Sequence, residues 1–469
     1  MDLDVNYWKN LLLNAVGNAQ KEGAVYADAR FVATQSFSAG VSKSRKNADR
    51  SRSQGVAVRA LVNGVWGYSS TNTLSKTIVL KSAGKAVKAA KAGKNNKEVE
   101  LAQTKPFVGD FVVESKKDCF AQSDEDLLKI AEEQYNRAKS HKKIADAKSG
   151  IGCSRQMLVL ATSDGGLASR KVDRTRFMTV VVSRDGKKQR QYVGGEGQLG
   201  GLEVLKKFDW SKITDTTCKR SVELLDSVKT PIGEMPVVFA GGGGGSGLIA
   251  HEAVGHAVEG DYAMMDRSYF NGKIGTVVGN ENLNLVENGL KNSGFGAIGF
   301  DDEGTIARKA FLIKNGVFET FMLDRQSAAF FDLEPTGNAR AQDHTRRVYV
   351  RMRNTYIENG DWNFDEMIEE TKKGVLCNHW KAGIEDPAGG SFQLFFLDGN
   401  IIENGEIGKP LYNISTSQNA TLDALKNVSA IGNDLKMDAG GCGKGHADYV
   451  TVGSGGPSLR IDNIIVGGA

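Results

Sequence analysis

Gly55-Val-Ala-Val-Arg-Ala-Leu-Val62, Asn63-Gly64, Val65-Trp66-Gly67-Tyr68 is the stretch that decides how the first part of this chain folds. Two runs rich in β-branched and aromatic residues are joined by two residues only. Asn-Gly supplies the positive φ angles that a type I′ turn demands, so the stretch predicts a β-hairpin.

Working outward, Val25–Val32 predicts a strand, and Ser36–Arg45 begins by alternating, with Phe37, Ala39 and Val41 on one face. Val5–Ala19 has helical spacing through Trp8, Leu11, Leu12, Val16 and Ala19. A helix is expected over Ser75–Lys91, its lysines 81, 85, 88 and 91 forming a solvated stripe opposite Ala83, Ala86, Val87 and Ala90. Another is expected over Ser123–Lys139, with Ser123 as N-cap and acidic residues at 124–126. Strands follow at Gln156–Thr162, Thr175–Arg184 and Lys187–Val193, then one or two helices within Leu202–Asp226. Pro231 and Pro236 bracket a boundary near Lys229–Pro236.

Beyond that boundary strands are expected nearly throughout. Ala310–Ile313 and Val317–Met322 flank Asn315-Gly316, Phe392–Phe396 precedes a turn at Asp398-Gly399, and Glu403-Asn404-Gly405-Glu406 is a further turn. The fold class is therefore α+β. Residues 1–230 form an N-terminal α/β domain with a mixed sheet and flanking helices, and 231–469 a β-rich domain.

A net charge of +4 over 469 residues gives no chain-wide basic field, so nucleic acid is not an expected partner. No apolar run is long enough to span a bilayer, and the acidic start MDLDVNYW does not read as a signal peptide. Five cysteines, odd in number and without a CxxC pair, point to a reducing cytosol rather than a disulfide framework. Cys119, Cys153 and Cys218 read as small inert core residues.

The chemistry is concentrated in Ile249-Ala-His-Glu-Ala-Val-Gly-His-Ala-Val258. Two histidines and a glutamate within an apolar helical segment are costly to bury without partners. A zinc ion resolves the cost, because neutral imidazoles ligate it directly, and Glu252 is then placed to take a proton from an attacking water. The spacing is unusual. Histidines at i and i+4 are about 40° apart on an α-helix, whereas His251 and His256, at i and i+5, are about 140° apart and do not face one ion. Only a π-type turn or a break brings them together, and Gly255 makes either inexpensive, so an irregular helix is expected at 252–256.

A catalytic zinc takes three protein ligands, which leaves one to find. Cys442, in Asp438-Ala-Gly-Gly-Cys-Gly-Lys-Gly445, is the best third donor; His446, Cys377 and His379 compete with it. Glu259 and Asp261 are candidates to hydrogen-bond the ligating imidazoles. The Gly241–Gly247 segment lacks the ending of a P-loop and serves close approach to a substrate or a neighbouring strand.

His251-Glu-Ala-Val-Gly-His-Ala-Val-Glu-Gly-Asp261 resembles the HExxxH signature of the TldD/PmbA family, also called modulator of DNA gyrase. Asp301-Asp-Glu-Gly-Thr305, Pro335-Thr-Gly-Asn338, Arg353-Asn-Thr-Tyr356, Gly440-Gly-Cys-Gly-Lys444 and the closing Ser458–Gly468 agree with it as well. The resemblance implies a cytoplasmic zinc metallopeptidase acting on short or unfolded peptides. It also implies His251, His256 and Cys442 as metal ligands, Glu252 as the catalytic base, and pairing with an identical or a PmbA/TldE-like subunit. This chain keeps the whole motif and so looks like the catalytic member of such a pair. The alternative is a non-proteolytic regulator associated with DNA gyrase or with a partner subunit; the lysines of 81–97 are the one basic element it offers.

Overall fold

The computed structural model describes residues 4–94, 98–290, 292, 294–445 and 448–468. The predicted hairpin is there. Strands β1 (Tyr26–Ser42), β2 (Lys46–Val62) and β3 (Val65–Thr71) form an antiparallel meander in which Val62 faces Val65, and Asn63 and Gly64 take φ of 49° and 69°. With β4 (Val108–Val113), β5 (Ile144–Thr162), β6 (Leu167–Asp185) and β7 (Lys188–Leu199) they build a seven-stranded sheet ordered β3-β2-β1-β5-β6-β4, with β7 also on β6. Only β4 runs parallel to its neighbour.

Helices α1 (Val5–Lys21), α2 (Lys76–Ala92), α3 (Asp124–Ser140), α4 (Val204–Lys207) and α5 (Trp210–Glu223) flank this sheet. Ser123 caps α3 by accepting from the Asp126 amide at 3.1 Å. The two-residue period of β1 divides its labour. Ala27, Ala29 and Phe31 pack under α1 and α2, and Phe37 and Ala39 under α3. The alternate residues Asp28 and Arg30 are buried on the other face, where they meet the second half of the chain.

That second half contains strands β8 (Gly233–Phe239), β9 (Leu285–Asn288), β10 (Lys309–Lys314), β11 (Val317–Phe318), β12 (Ala339–Arg340), β13 (Tyr349–Val350) and β14 (Asn354–Ile357). They are followed by β15 (Lys373–Glu385), β16 (Phe392–Glu403), β17 (Glu406–Gln418), β18 (Val428–Ile431), β19 (Lys436–Lys444), β20 (Asp448–Gly456) and β21 (Leu459–Gly468). One sheet runs β11-β10-β9-β14-β20-β19, leaving β19 at its edge. The other runs β17-β16-β15-β8-β21-β18, and β17 also pairs with β21, closing five strands into a ring. The largest apolar core fills the space between these sheets.

Buried ion pairs join the two halves. Arg30 and Arg170 both bind Asp302, at 2.9 and 2.6 Å, with all three side chains almost wholly buried. Arg59 bridges Asp28 (2.6 Å) and Glu303 (3.1 Å). The segment Asp301-Asp-Glu-Gly-Thr305 is thus a plug seated on the first sheet.

Four expectations need correction. Cys119 and Cys153 are not free core residues but a disulfide, tying the loop before α3 to β5. The two are 34 residues apart and are brought together by the fold, which cysteine counting does not reveal. The cysteine-based ground for a reducing compartment falls with it. Asp398-Gly399 is not a turn: β16 runs straight through it, and a Cβ at Gly399 would lie 2.0 Å from the Leu376 carbonyl oxygen, so this glycine serves strand contact. The described residues of 265–284 and 294–308 are mostly irregular rather than strand, and β11 stops at Phe318, well short of Met322. No helix among the described residues is long and apolar enough to cross a membrane.

Candidate metal site

The segment Ile249–Gly255 is a π-helix, sunk in the core through Ile249, Ala250, Ala253 and Val254. The extra residue per turn brings His251 and His256 onto one side, their ring centroids 5.2 Å apart and nearly perpendicular. Gly255 permits it, because a Cβ there would lie 2.6 Å from the Met352 sulfur and 3.0 Å from the Ala250 carbonyl oxygen.

Cys442 arrives from β19 and is buried. Its Sγ lies 3.6 Å from His256 Nε2, and the ligand atoms of His251, His256 and Cys442 all fall within 4.8 Å of one another. Arg351 fixes the strand by donating to the Cys442 carbonyl at 2.6 Å. Burial alone would raise the Cys442 thiol, but His256 and His251 outweigh it and bring the thiol down to about 5. Burial opposes the His256 imidazolium, yet Cys442 and then Glu259 hold it well above its ordinary range.

Glu259 is fully buried, with Oε2 3.4 Å from His256 Nδ1. Against the cost of burial, Lys444 and His256 hold its carboxyl down at about 2. Asp261 does not reach an imidazole. It accepts from Lys444 Nζ at 2.6 Å, while the same Nζ lies 2.9 Å from Glu259, so Asp261 steadies the lysine that steadies Glu259. Lys444, two residues past Cys442, thereby links the strand to the end of the histidine segment.

Glu252 faces a small cavity lined also by Gly243, Leu248, His251 and Trp380. β15 crosses directly over it, with Gly383 so close that a Cβ would meet Glu252 Cγ at 2.5 Å. The same strand brings Glu385, whose carboxyl oxygen lies within 4.8 Å of the ligand atoms of Glu252 and His256. Burial and the Glu252 carboxyl push Glu385 up to about 7 against the pull of His256. Sequence reading did not find Glu385: it stands 129 positions after His256, in a strand with no motif of its own.

The competing third donors do not join the cluster. Cys377 is buried in the core and His379 lines a neighbouring cavity; neither is in a metal-binding group among the described residues. His446 lies outside the described residues. The glycine run 241–245 closes tightly: a Cβ at Gly245 would lie 1.8 Å from the Ala240 carbonyl oxygen, and Gly244 donates its amide to Asp438 at 3.1 Å.

Comparison with known proteins agrees with this architecture. Residues 232–468 match the model of the PmbA/TldA metallopeptidase C-terminal domain, 27–93 its domain 1 and 117–225 its central domain. A Methanothermobacter thermautotrophicus protein named as a metalloprotease is 29% identical over 469 residues, covering all of both chains. A Saccharolobus solfataricus protein named zinc metalloprotease TldD homolog is 28% identical, over 97% of this chain and 99% of its own. Among solved structures, a putative modulator of DNA gyrase from Bacteroides thetaiotaomicron superposes with a TM-score of 0.81 at 20% identity, covering all of both chains. TldE from Thermococcus kodakarensis gives 0.79 at 18% identity, over 98% of this chain and all of that one. At such identities the superpositions speak for the fold. With family models spanning most of its length, the chain belongs to the PmbA/TldD metallopeptidase family.

Proposed function

We propose that this chain is a zinc-dependent peptidase in which His251, His256 and Cys442 hold the metal and Glu252 acts as general base. The observation that carries the reading is the convergence of two imidazoles and a cysteine thiol in one buried place. Zn–N and Zn–S bonds meeting at a tetrahedral angle set N and S roughly 3.6 Å apart, and the His256 Nε2–Cys442 Sγ separation is 3.6 Å. The donor set therefore fits zinc, and three protein donors leave one position open, as in catalytic sites. The name of the Saccharolobus relative supports the choice of ion.

Bound zinc would supply Lewis-acid polarisation and lower the pKa of water. The residues do the rest. Glu252, open to the cavity beside His251, accepts the proton of the attacking water and returns it to the leaving amine. Glu259 orients His256 through Nδ1, and Lys444 keeps Glu259 ionised. Glu385, facing Glu252, confines that carboxyl to the cavity.

β19 is an edge strand, so its free backbone groups offer an extended peptide a row of main-chain hydrogen bonds beside Cys442. A folded domain presents no such strand without local unfolding, which makes short or unfolded peptides the substrates. The likeness to a protein named TldE supports pairing with a homologous or identical subunit, which the mass of the protein in solution will reveal. The peptidase test is incubation of the protein with unstructured peptides, with and without a chelator, read by mass spectrometry. Cleavage that stops with chelator and returns with zinc is expected; cleavage indifferent to chelator rules out the metal mechanism.

A further inference from the structure

Contiguous with the cavity at Glu252, and sharing Trp380, Asp438 and Ala439 with it, is a larger cavity of about 610 Å³. It opens between β6 and β7 of the first sheet and β15, β16, β17 and β19 of the second half. Met178, Trp380, Leu397 and Tyr412 give it an apolar and aromatic wall. Two carboxylates face each other in it, Glu196 from β7 and Asp438 from β19.

Both are half-buried, and their surroundings differ from those of the ion-paired acids of the core. Asp302, Glu287 and Glu259 each have a basic side chain within hydrogen-bond distance. Glu196 makes neither a hydrogen bond nor an ion pair among the described residues. Burial and then Asp438 push its carboxyl up to about 7, against the pull of Lys436. Asp438 accepts only from the backbone of the glycine run, from the Gly244 amide at 3.1 Å and from Gly243, and has no basic side chain on it. His379, half-buried on the same cavity, likewise has no hydrogen-bond partner among the described residues; its ring lies against that of Tyr192, at 5.6 Å between centroids. Arg176 and Lys381 also border the cavity, but both are exposed, at its mouth. The inner groups thus include one carboxylate with no partner, Glu196, and a second, Asp438, held by backbone amides alone.

A metal ion does not suit the place, since Glu196, Asp438 and His379 do not gather their ligand atoms as His251, His256 and Cys442 do. An organic cation on an apolar stem does. The stem lies along aromatic and aliphatic walls, the rings favour a cation over their faces, and the head meets the carboxylates. Asp438 and Cys442 are four residues apart on one strand, so their side chains share a face roughly 13 Å apart along it. A peptide running beside β19 with its scissile bond at Cys442 carries a side chain three or four positions away to this cavity.

We propose that this cavity is a specificity subsite taking a lysine or arginine side chain of the substrate, with the cationic head between Glu196 and Asp438. The inference rests on the peptidase reading and names its substrate class: unfolded peptides with a basic residue a few positions from the cut. Binding tests it apart from hydrolysis. Fluorescently labelled, unstructured decapeptides, each with one lysine at a scanned position, are titrated into zinc-loaded Glu252→Gln protein by anisotropy. Matched peptides carry norleucine or glutamate at that position.

At one position lysine should bind about tenfold tighter than norleucine, the worth of one charge-assisted hydrogen bond. Glu196→Gln added to that protein should bring the two to near equality, and Glu196→Lys should reverse the order in favour of glutamate. Asp438→Asn gives a second reading should either Glu196 variant unfold. No lysine preference at any position, a preference untouched by Glu196→Gln and Asp438→Asn, or a glutamate preference in the parent overturns the subsite. If wild-type protein cleaves none of these peptides with zinc while the lysine preference holds, the peptidase reading fails and the subsite stands. Cleavage without preference means the reverse.

Discussion

The backbone amide of His256 donates to the carbonyl oxygen of His251 at 3.3 Å, an i to i+5 bond that puts both imidazoles on one side of the segment. An α-helical bond would carry His256 about 140° around the axis from His251. The π-turn is thus what makes a pair of ligands out of this sequence, and Gly255 makes room for the turn. Gly255→Ala places a Cβ 2.6 Å from the Met352 sulfur and 3.0 Å from the Ala250 carbonyl oxygen. We expect a loss of about 1–3 kcal/mol from overpacking and weaker zinc binding. Thermal unfolding with and without zinc checks both; an unchanged zinc-induced rise in Tm contradicts the account.

Cys442→Ser replaces the thiolate by a neutral hydroxyl. Wild-type protein should carry about one zinc per chain, and the serine variant should lose most of it on dialysis. Metal analysis decides: full retention removes Cys442 from the site and returns attention to His446.

The plug between the two halves depends on Asp302, which satisfies Arg30 and Arg170 at once. Asp302→Ala leaves two buried guanidinium groups without their carboxylate. Breaking a buried pair this way costs about 3–5 kcal/mol, so the variant should melt far below wild type. A Tm within a degree or two of wild type would show that the pairs contribute little.

The proposed subsite has a pH dependence of defined sign. Glu196 is held up to about 7 by burial and Asp438. Asp438 is itself raised by burial, and Lys436 stands beside them on β19. His379, pushed below its ordinary range by burial, adds no positive charge above neutrality, and Arg176 and Lys381 stay at the mouth. Above pH 7 Glu196 is ionised, and below it a proton competes with the substrate cation. The lysine-to-norleucine binding ratio should therefore be largest near pH 8 and decline toward pH 6. A ratio constant over that range would assign the preference to another group.

Local signals were legible in the sequence because local physics sets them. Asn63-Gly64 dictates its turn, Ser123 its cap, and the i,i+5 spacing of His251 and His256 admits no regular α-helix. Contacts across the fold were not. Arg30 and Asp302 are 272 residues apart, and Asp301–Thr305 shows its acidity but not the arginines that receive it. Glu385 and Glu196 lie in strands of ordinary composition, and only the crossing of β15 over Glu252, or of β7 past β19, gives them neighbours. The disulfide between Cys119 and Cys153 escaped for the same reason. Irregular stretches such as 265–284 resemble strands in sequence because they hold many short, glycine-separated apolar runs; their hydrogen bonds go to turns and side chains instead.

The central claim is that Glu252 is the base at a zinc formed by His251, His256 and Cys442. Glu252→Gln keeps the size of the side chain and cannot accept the proton of the attacking water. The decisive measurement is the rate at which zinc-loaded wild type and zinc-loaded Glu252→Gln cleave one unfolded peptide, with zinc content determined on the same samples. We predict equal zinc and a rate lower by about 10²–10⁴ in the variant; equal zinc with an undiminished rate would contradict the account.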